Sequence, residues 1–309
     1  MFTRLSDADA LLGLRAMLTC ARCDGAAAAR ELQLIATAAR ALNLSIDERE
    51  LASIDVEELC AAFPDRARRE QVLQAMMLMT LMDEDVSAAE VALISAFAKG
   101  LGVDEPRVQN LRQISEGRLR TLWLDLARHS FARPIFENTL KEKGLGGVWR
   151  IVGPLIGLAK DPALVDRFLE LGRLPVDTFG FAYFRFIVDN ELGFPGEGIV
   201  AEEGMWHDLT HVLAGYDTSP PVAVVSFIAG YVREDPFFWL FTIALQFHLG
   251  IKVSPYSPGM QVFFDPEVVM PAFERGLAVN RDLSRGWDPW PSLPRPLAQV
   301  RRELNVFPR

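Results

Sequence analysis

Apolar residues recur every three to four positions along most of the 309-residue chain, as they do on one face of an α-helix. One such face is formed by Leu34, Ile35, Ala38 and Leu42. The first half shows almost none of the period-2 alternation that half-buried strands have. In the second half, prolines and glycines mark the ends of apolar runs, as at Asp161-Pro162, where an aspartate N-cap precedes a first-turn proline. The pattern predicts an all-α protein.

The first 115 residues contain an internal repeat. The stretch that begins at residue 23 aligns with the stretch that begins at residue 82 at a constant offset of 59 positions, so that Glu31 matches Glu90. Two serine-glutamate pairs have the spacing of a capping box: Ser45-x-x-Glu48 and Ser87-x-x-Glu90. We therefore expect a small helical bundle, with helices that start at both serines.

Two stretches are apolar nearly all round, Val222–Val232 and Pro236–Ile251. Helices of this composition are core helices, or they line a lipid cavity or face a membrane. Neither stretch reaches the roughly 18 apolar residues of a membrane-spanning helix. The lipid-cavity alternative predicts lipid-binding roles for Phe227, Phe238 and Phe241. His248, inside the second stretch, is predicted to be a core histidine with a satisfied nitrogen rather than a metal ligand.

Two of the four histidines lie four positions apart, in the segment HDLTHVLAGY. On a helix, His207 and His211 share one face and can bind one ion, and Asp208 can reach the same side as a third ligand or as an acceptor that fixes an imidazole. Glu203, one turn before His207, is a further candidate ligand. This donor set suits zinc or ferrous iron. The alternative is a hydrogen-bonded histidine pair at a helix surface.

Charge and cysteine content narrow the partners and the compartment. With 41 acidic and 32 basic residues the net charge is −9 and no basic stripe stands out, so nucleic acid is not expected as a partner. Three cysteines suit a reducing compartment, and the Cys20-x-x-Cys23 pair lacks the further ligands of a zinc site. Asp7 and Asp9 interrupt any signal peptide. We expect a bacterial protein of the cytoplasm or of the periphery of the inner membrane.

The two repeat copies resemble the TerB-like domain of tellurite resistance. The resemblance rests on CDG…E…LIATAARALN and MDED…E…LISAFAKGLG, and it covers roughly residues 10–115. It implies that acidic residues near the helix starts bind metal: Asp24, Glu31, Asp83, Asp85 and Glu90. The alternative is a structural role for these residues, in capping boxes and in the turn at Asp24-Gly25.

The chain from residue 146 to residue 307 resembles the ubiquinone-biosynthesis family of the fourth coenzyme-Q protein, whose hallmark is HDxxH followed by a glutamate. Three further segments agree with that family in order: LIGLAKDPALVDRFLELG, LPVDTFGFAYFRFIVDN and FERGLAVNRDLSRGWDPWPSLPRPLAQVRRELNV. We predict a TerB-like domain over 1–115, a helical linker over 116–146 and a coenzyme-Q-biosynthesis-like helical domain over 147–309.

The family implies a metal site on the HDxxH helix and an apolar cavity for a polyprenylated quinone precursor. It also implies oxidative decarboxylation and hydroxylation of the precursor ring, or a scaffold role in a biosynthetic complex. Expected partners are therefore the precursor or another isoprenoid lipid, other quinone-biosynthesis proteins, the membrane surface and a second copy of the chain.

One departure from the family pattern divides the possible functions. Ala223 stands where the family has its glutamate, and an alanine methyl can neither bind a metal nor move a proton. If a carboxylate from Glu203 or Asp217 replaces it, the chain is an enzyme or an enzyme-like subunit with unassigned catalytic residues. If that corner is apolar, the chain is a non-catalytic lipid-binding or scaffold protein.

Overall fold

The computed structural model describes residues 6–82, 85–129, 161–197, 205–251 and 264–307. Within these residues the chain forms fourteen α-helices and no strand, which confirms the all-α prediction. The helices are α1 (Asp7–Ala21), α2 (Ala29–Ala41), α3 (Val56–Ala62), α4 (Arg66–Met79), α5 (Ala88–Leu101), α6 (Arg107–Ser115), α7 (Leu119–His129), α8 (Pro162–Leu169), α9 (Phe179–Asp189), α10 (Met205–Ala214), α11 (Pro221–Tyr231), α12 (Pro236–Ile243), α13 (Pro266–Leu277) and α14 (Leu297–Leu304). No helix in the described part of the chain is long and apolar enough to cross a membrane.

The predicted repeat appears as two equivalent helix starts, at α2 and α5. Ser87 Oγ accepts a hydrogen bond from the Glu90 backbone at 3.1 Å, and Glu90 Oε2 accepts one from the Ser87 backbone at 2.8 Å. In the first copy Ala28 replaces the serine, and Glu31 Oε2 still accepts from the Ala28 backbone at 2.7 Å. Both glutamates are buried at these helix starts. The Ser87 capping box is therefore confirmed, and its counterpart in the first copy lies at Glu31.

The capping box predicted at Ser45 is wrong. Residues 44–55 contain no helix, and residues 48–50 form a turn. The side chain of Arg22, the residue directly after α1, holds this segment instead. Arg22 donates to the carbonyls of Leu51 and Arg49 at 3.1 and 3.2 Å. Long-range hydrogen bonds thus satisfy backbone carbonyls that a helix would otherwise pair, and no helix starts at Ser45.

The chain folds into two compact units that do not follow its linear order. The first comprises the described residues of Met1–His129 and Glu234–Pro271, and the second those of Ser130–Arg233 and Ala272–Arg309. The described residues of the segment 234–271, which the sequence prediction placed in the second domain, group with the first unit. The division falls at Pro271, a proline inside α13.

In the first unit α1 packs against α2 and α4, and α5 packs against α3, α4 and α6. An ion pair and a histidine connect the described residues of 234–271 to the rest of the first unit. The buried Arg107 donates to both carboxylate oxygens of Asp235 at 2.7 Å. His248, at the end of a π-helical turn, pairs through Nε2 with the Met82 carbonyl at 2.8 Å, and its Nδ1 accepts from the Phe264 backbone at 3.3 Å. Both ring nitrogens are satisfied, as expected of a core histidine.

In the second unit α9 packs against α10 and α14, and α10 packs against α11. A close backbone contact joins α11 to α13 through two glycines. A Cβ atom at Gly276 would lie 2.1 Å from the Phe227 carbonyl oxygen, and one at Gly230 would lie 2.2 Å from the Phe273 carbonyl oxygen. Only glycine allows the two backbones to approach this closely.

The three cysteines, Cys20, Cys23 and Cys60, are free. Cys20 is buried, and burial together with the neighbouring Glu90 raises the pKa of its thiol. Burial and the same carboxylate raise the pKa of Cys23 to about 11. A thiol that stays protonated is a poor nucleophile and a poor metal ligand.

Candidate functional site

The helix α10 carries the HDxxH segment and is held by its neighbours on both sides. Met205, Leu209 and Leu213 bury one stripe of the helix at helical spacing. The helix ends at Gly215, whose φ of +72° lets its backbone donate to the His211 carbonyl at 2.8 Å. The polar residues of the segment therefore project from a helix whose position is fixed by packing.

His207 and His211 lie together on one face of α10, as their spacing predicts. Their ring centroids are 5.2 Å apart, with an edge-to-face angle of 71°. On the other side of His211 the ring of Phe186, from α9, stacks at 5.0 Å. Trp206 meets His207 edge-on at 6.1 Å. The imidazole pair is thus enclosed by aromatic rings, and His211 is only 6% exposed.

Burial keeps both imidazoles neutral near pH 7. Burial, and secondly the neighbouring His211, lower the pKa of His207 to about 4. Burial also lowers the pKa of His211, although backbone acceptors of Tyr216 and Asp217 act in the opposite sense. His211 Nδ1 lies 3.1 Å from the Tyr216 carbonyl oxygen. Since a carbonyl only accepts, Nδ1 carries the proton and Nε2 keeps a free lone pair.

Asp208 has a different environment from the two histidines. Burial raises the pKa of its carboxyl group to about 6. Its charge in turn adds to the burial that raises the pKa of Tyr183, on α9. The Tyr183 side chain is fully buried, and its hydroxyl has no hydrogen-bond partner among the described residues. Sequence reasoning missed Tyr183, although a lone tyrosine among the phenylalanines of FGFAYFRF is a visible signal.

The described residues do not complete a metal site. They contain no group of three or more His, Cys, Asp or Glu side chains placed to hold one ion. The pair His207 and His211 supplies two nitrogen donors, whereas a zinc or iron site needs at least three protein ligands. Glu203, the predicted additional ligand, lies outside the described residues. Ala223 is 4% exposed within α11, the helix that packs against α10.

Three of the acidic residues of the repeat, Glu31, Glu90 and Asp85, are engaged in local structure. Glu31 and Glu90 accept the helix-start hydrogen bonds described above. Asp85 Oδ1 accepts from the backbone of Val86 at 2.9 Å, and Asp83 lies outside the described residues. Hydrogen bonds within the local structure thus account for Glu31, Glu90 and Asp85. Metal binding by the acidic residues of the repeat stays a prediction.

The three predicted lipid-binding phenylalanines are buried, and they belong to different units. Phe227, in the second unit, meets Tyr216 and Tyr231 edge-on at 6.1 and 5.8 Å. Phe238 and Phe241 belong to the first unit. Phe238 lines a cavity of about 250 Å³ together with polar side chains that include Arg107. Only Phe227 lies in the same unit as the histidine pair.

No family model and no characterised protein matches the chain. The fold and the site therefore describe an all-α protein with an uncharged histidine pair on α10, in which His211 is buried and His207 is half-buried. An aromatic helix and an apolar helix pack against α10.

Proposed function

We propose that the protein binds a polyprenylated quinone precursor or a related isoprenoid lipid beside α10, as a non-catalytic carrier or scaffold. The observation that carries this proposal is that Ala223, at the position of the family's glutamate, lies among apolar residues. That residue is buried in α11, and every residue from Val222 to Tyr231 except Val225 is buried with it. A carboxylate-dependent reaction on the ring has no group at this position.

The polar groups beside that apolar helix suit the head group of such a lipid. A small number of fixed polar groups in an apolar wall is the usual composition of a ligand site. His211 is oriented by the Tyr216 carbonyl and stacked on Phe186. The free Nε2 lone pair of His211 can accept a hydrogen bond from a hydroxyl group on the ring of the precursor, and the aromatic side chains offer flat surfaces for the ring itself.

Quenching of tryptophan fluorescence tests the proposal. A benzoquinone with a geranyl tail is expected to quench the protein saturably, because an excited indole transfers an electron to a nearby quinone. Trp206 lies next to His207, so Trp206→Phe should remove most of the quenching amplitude and leave the dissociation constant unchanged. Trp123→Phe, in α7 of the first unit, is the matched control and should keep the amplitude. Quenching that does not saturate, or that is equal in both variants, would contradict the proposal.

A second candidate, metal-assisted chemistry, is favoured by one observation. The hydrogen bond from His211 Nδ1 to Tyr216 leaves Nε2 available, which is the arrangement that metal-binding histidines use. The described residues supply only two such donors, too few to assign a reaction step.

Metal content separates the two candidates. Protein purified without a histidine tag is expected to hold far less than one equivalent of zinc or iron by elemental mass spectrometry, because two imidazoles alone bind weakly. His211→Ala should leave that content unchanged, as should the control variant His129→Ala. About one equivalent of metal that is lost only in His211→Ala would favour the metal-assisted function over a carrier.

A further inference from the structure

The second unit contains two fully buried tyrosines, and only one of them has a hydrogen-bond partner for its hydroxyl group among the described residues. Tyr231, on α11, has its hydroxyl 3.0 Å from Thr210 Oγ1, so this hydroxyl is paired. Tyr183, on α9, has no hydrogen-bond partner for its hydroxyl within the described chain. An unpaired buried hydroxyl loses its hydrogen bonds to water without replacement, so folding alone gives no reason to keep it.

The unpaired hydroxyl lies on the helix that faces the histidine pair. Phe186, three residues after Tyr183 on α9, stacks on His211, so this stretch of α9 borders the candidate site. From the side of α10, the charge of Asp208 acts on Tyr183. The Tyr183 ring itself packs against Phe168, with centroids 5.9 Å apart. The ring is therefore anchored in an aromatic core, and its only polar atom is the one left without a partner.

We propose that the Tyr183 hydroxyl donates a hydrogen bond to a ring oxygen of the bound lipid, and thereby selects prenylated quinones and phenols over isoprenoid hydrocarbons. This inference rests on the proposed lipid-binding function and names the residue that recognises the head group. A site built to pair with a substrate oxygen discriminates strongly against an analogue that lacks it, because its own buried polar group is then left unpaired. Since the hydroxyl also lacks solvent contact, the ligand reaches it by locally separating α9 from α10.

Two tyrosine variants and two probes test this role. The probes are geranyl benzoquinone and geranylbenzene, which share the tail and differ in the ring oxygens. Wild-type protein is expected to bind the quinone about tenfold more tightly, which is the worth of one hydrogen bond to a buried group. Tyr183→Phe should lose this preference through weaker quinone binding alone. Tyr231→Phe, which removes a paired hydroxyl from an equally buried ring, should keep it.

Thermal unfolding without ligand supplies an independent readout. Tyr183→Phe is expected to unfold at the same temperature as wild type or higher, because the hydroxyl it removes has no partner. Tyr231→Phe should unfold at a lower temperature, because it removes the hydrogen bond between the Tyr231 hydroxyl and Thr210 Oγ1.

The outcomes distinguish the two proposals. If wild-type protein binds neither probe, the lipid-binding function fails and the role of Tyr183 fails with it. If wild-type protein binds both probes equally, or if Tyr183→Phe keeps the preference for the quinone, the role of Tyr183 is overturned and the lipid-binding function stands.

Discussion

Gly276→Ala is expected to destabilise the second unit by about 3 kcal/mol or more, an effect at the upper end of overpacking substitutions. The added methyl group would lie 2.1 Å from the Phe227 carbonyl oxygen and would approach Gly230 as well. Backbone atoms of a packed helix cannot move aside as the end of a flexible side chain can, so α11 and α13 must separate. Urea denaturation followed by circular dichroism measures the loss.

Gly13→Ala is the matched control for this substitution. Gly13 is also a helical glycine, in α1, and a Cβ atom there would meet its nearest neighbour, Val72 Cγ2, at an ordinary 3.9 Å. Alanine should therefore stabilise that helix by up to about 1 kcal/mol through its higher helix propensity. If both variants lose or gain stability equally, helix propensity and not the close approach of α11 to α13 controls the result.

The separation of α11 from α13 would also reach the candidate site. Phe227, whose carbonyl oxygen meets Gly276, packs edge-on against Tyr216. The Tyr216 carbonyl in turn orients His211. The glycine contact thus helps to fix the imidazole that the proposed function uses, although neither glycine touches it.

Local signals in the sequence predicted those parts of the fold that depend on neighbouring residues. Asp161 caps α8 through the Leu164 backbone at 3.1 Å, with Pro162 in the first turn, as the dipeptide indicates. The face shared by His207 and His211 follows from helical spacing alone. Such features need no knowledge of the rest of the chain, and pattern reasoning therefore predicts them.

Features that depend on tertiary contacts could not be predicted in this way. The pattern at Ser45 has the spacing of a capping box, yet Arg15 in α1 and Arg22 directly after α1 bind the carbonyls of the segment that follows. The pairing of Phe186 with His211 depends on how α9 packs against α10, which no local pattern encodes. The return of residues 234–271 to the first unit rests on pairs such as Arg107 with Asp235, which are 128 positions apart.

The candidate site depends both on local helical spacing and on tertiary packing. Spacing along α10 places two imidazoles side by side, and packing against neighbouring helices buries His211 and half-buries His207. That desolvation, rather than any neighbouring charge, is the first cause of the lowered pKa of His207 and of the raised pKa of Asp208. Two adjacent residues on one helix are thus both driven towards their neutral forms, one a base and the other an acid.

The stability of the metal-free protein is therefore expected to depend on pH in opposite senses through these two residues. The pKa of His207 falls to about 4, below its unfolded value, so between about pH 6.5 and 4 the unfolded chain binds the extra proton and His207 lowers stability as the pH falls. The pKa of Asp208 rises to about 6, so over nearly the same range the folded chain binds the extra proton and Asp208 raises stability as the pH falls. In the wild-type protein the two contributions largely cancel.

Single substitutions should reveal each contribution. From pH 7 to pH 4, His207→Gln is expected to gain about 3 kcal/mol of unfolding free energy relative to wild type. The wild-type protein loses stability over this range because His207 takes up a proton in the unfolded chain and not in the folded one, and glutamine does not titrate. Asp208→Asn should lose a similar amount relative to wild type over the same range. The wild-type protein gains stability as the Asp208 carboxylate takes up a proton in the folded state, and asparagine cannot make this gain. Urea denaturation in the presence of EDTA, at several pH values, measures both differences. Parallel pH profiles for the two variants would mean that water reaches both side chains in the folded protein and that α9 and α11 do not enclose this face of α10.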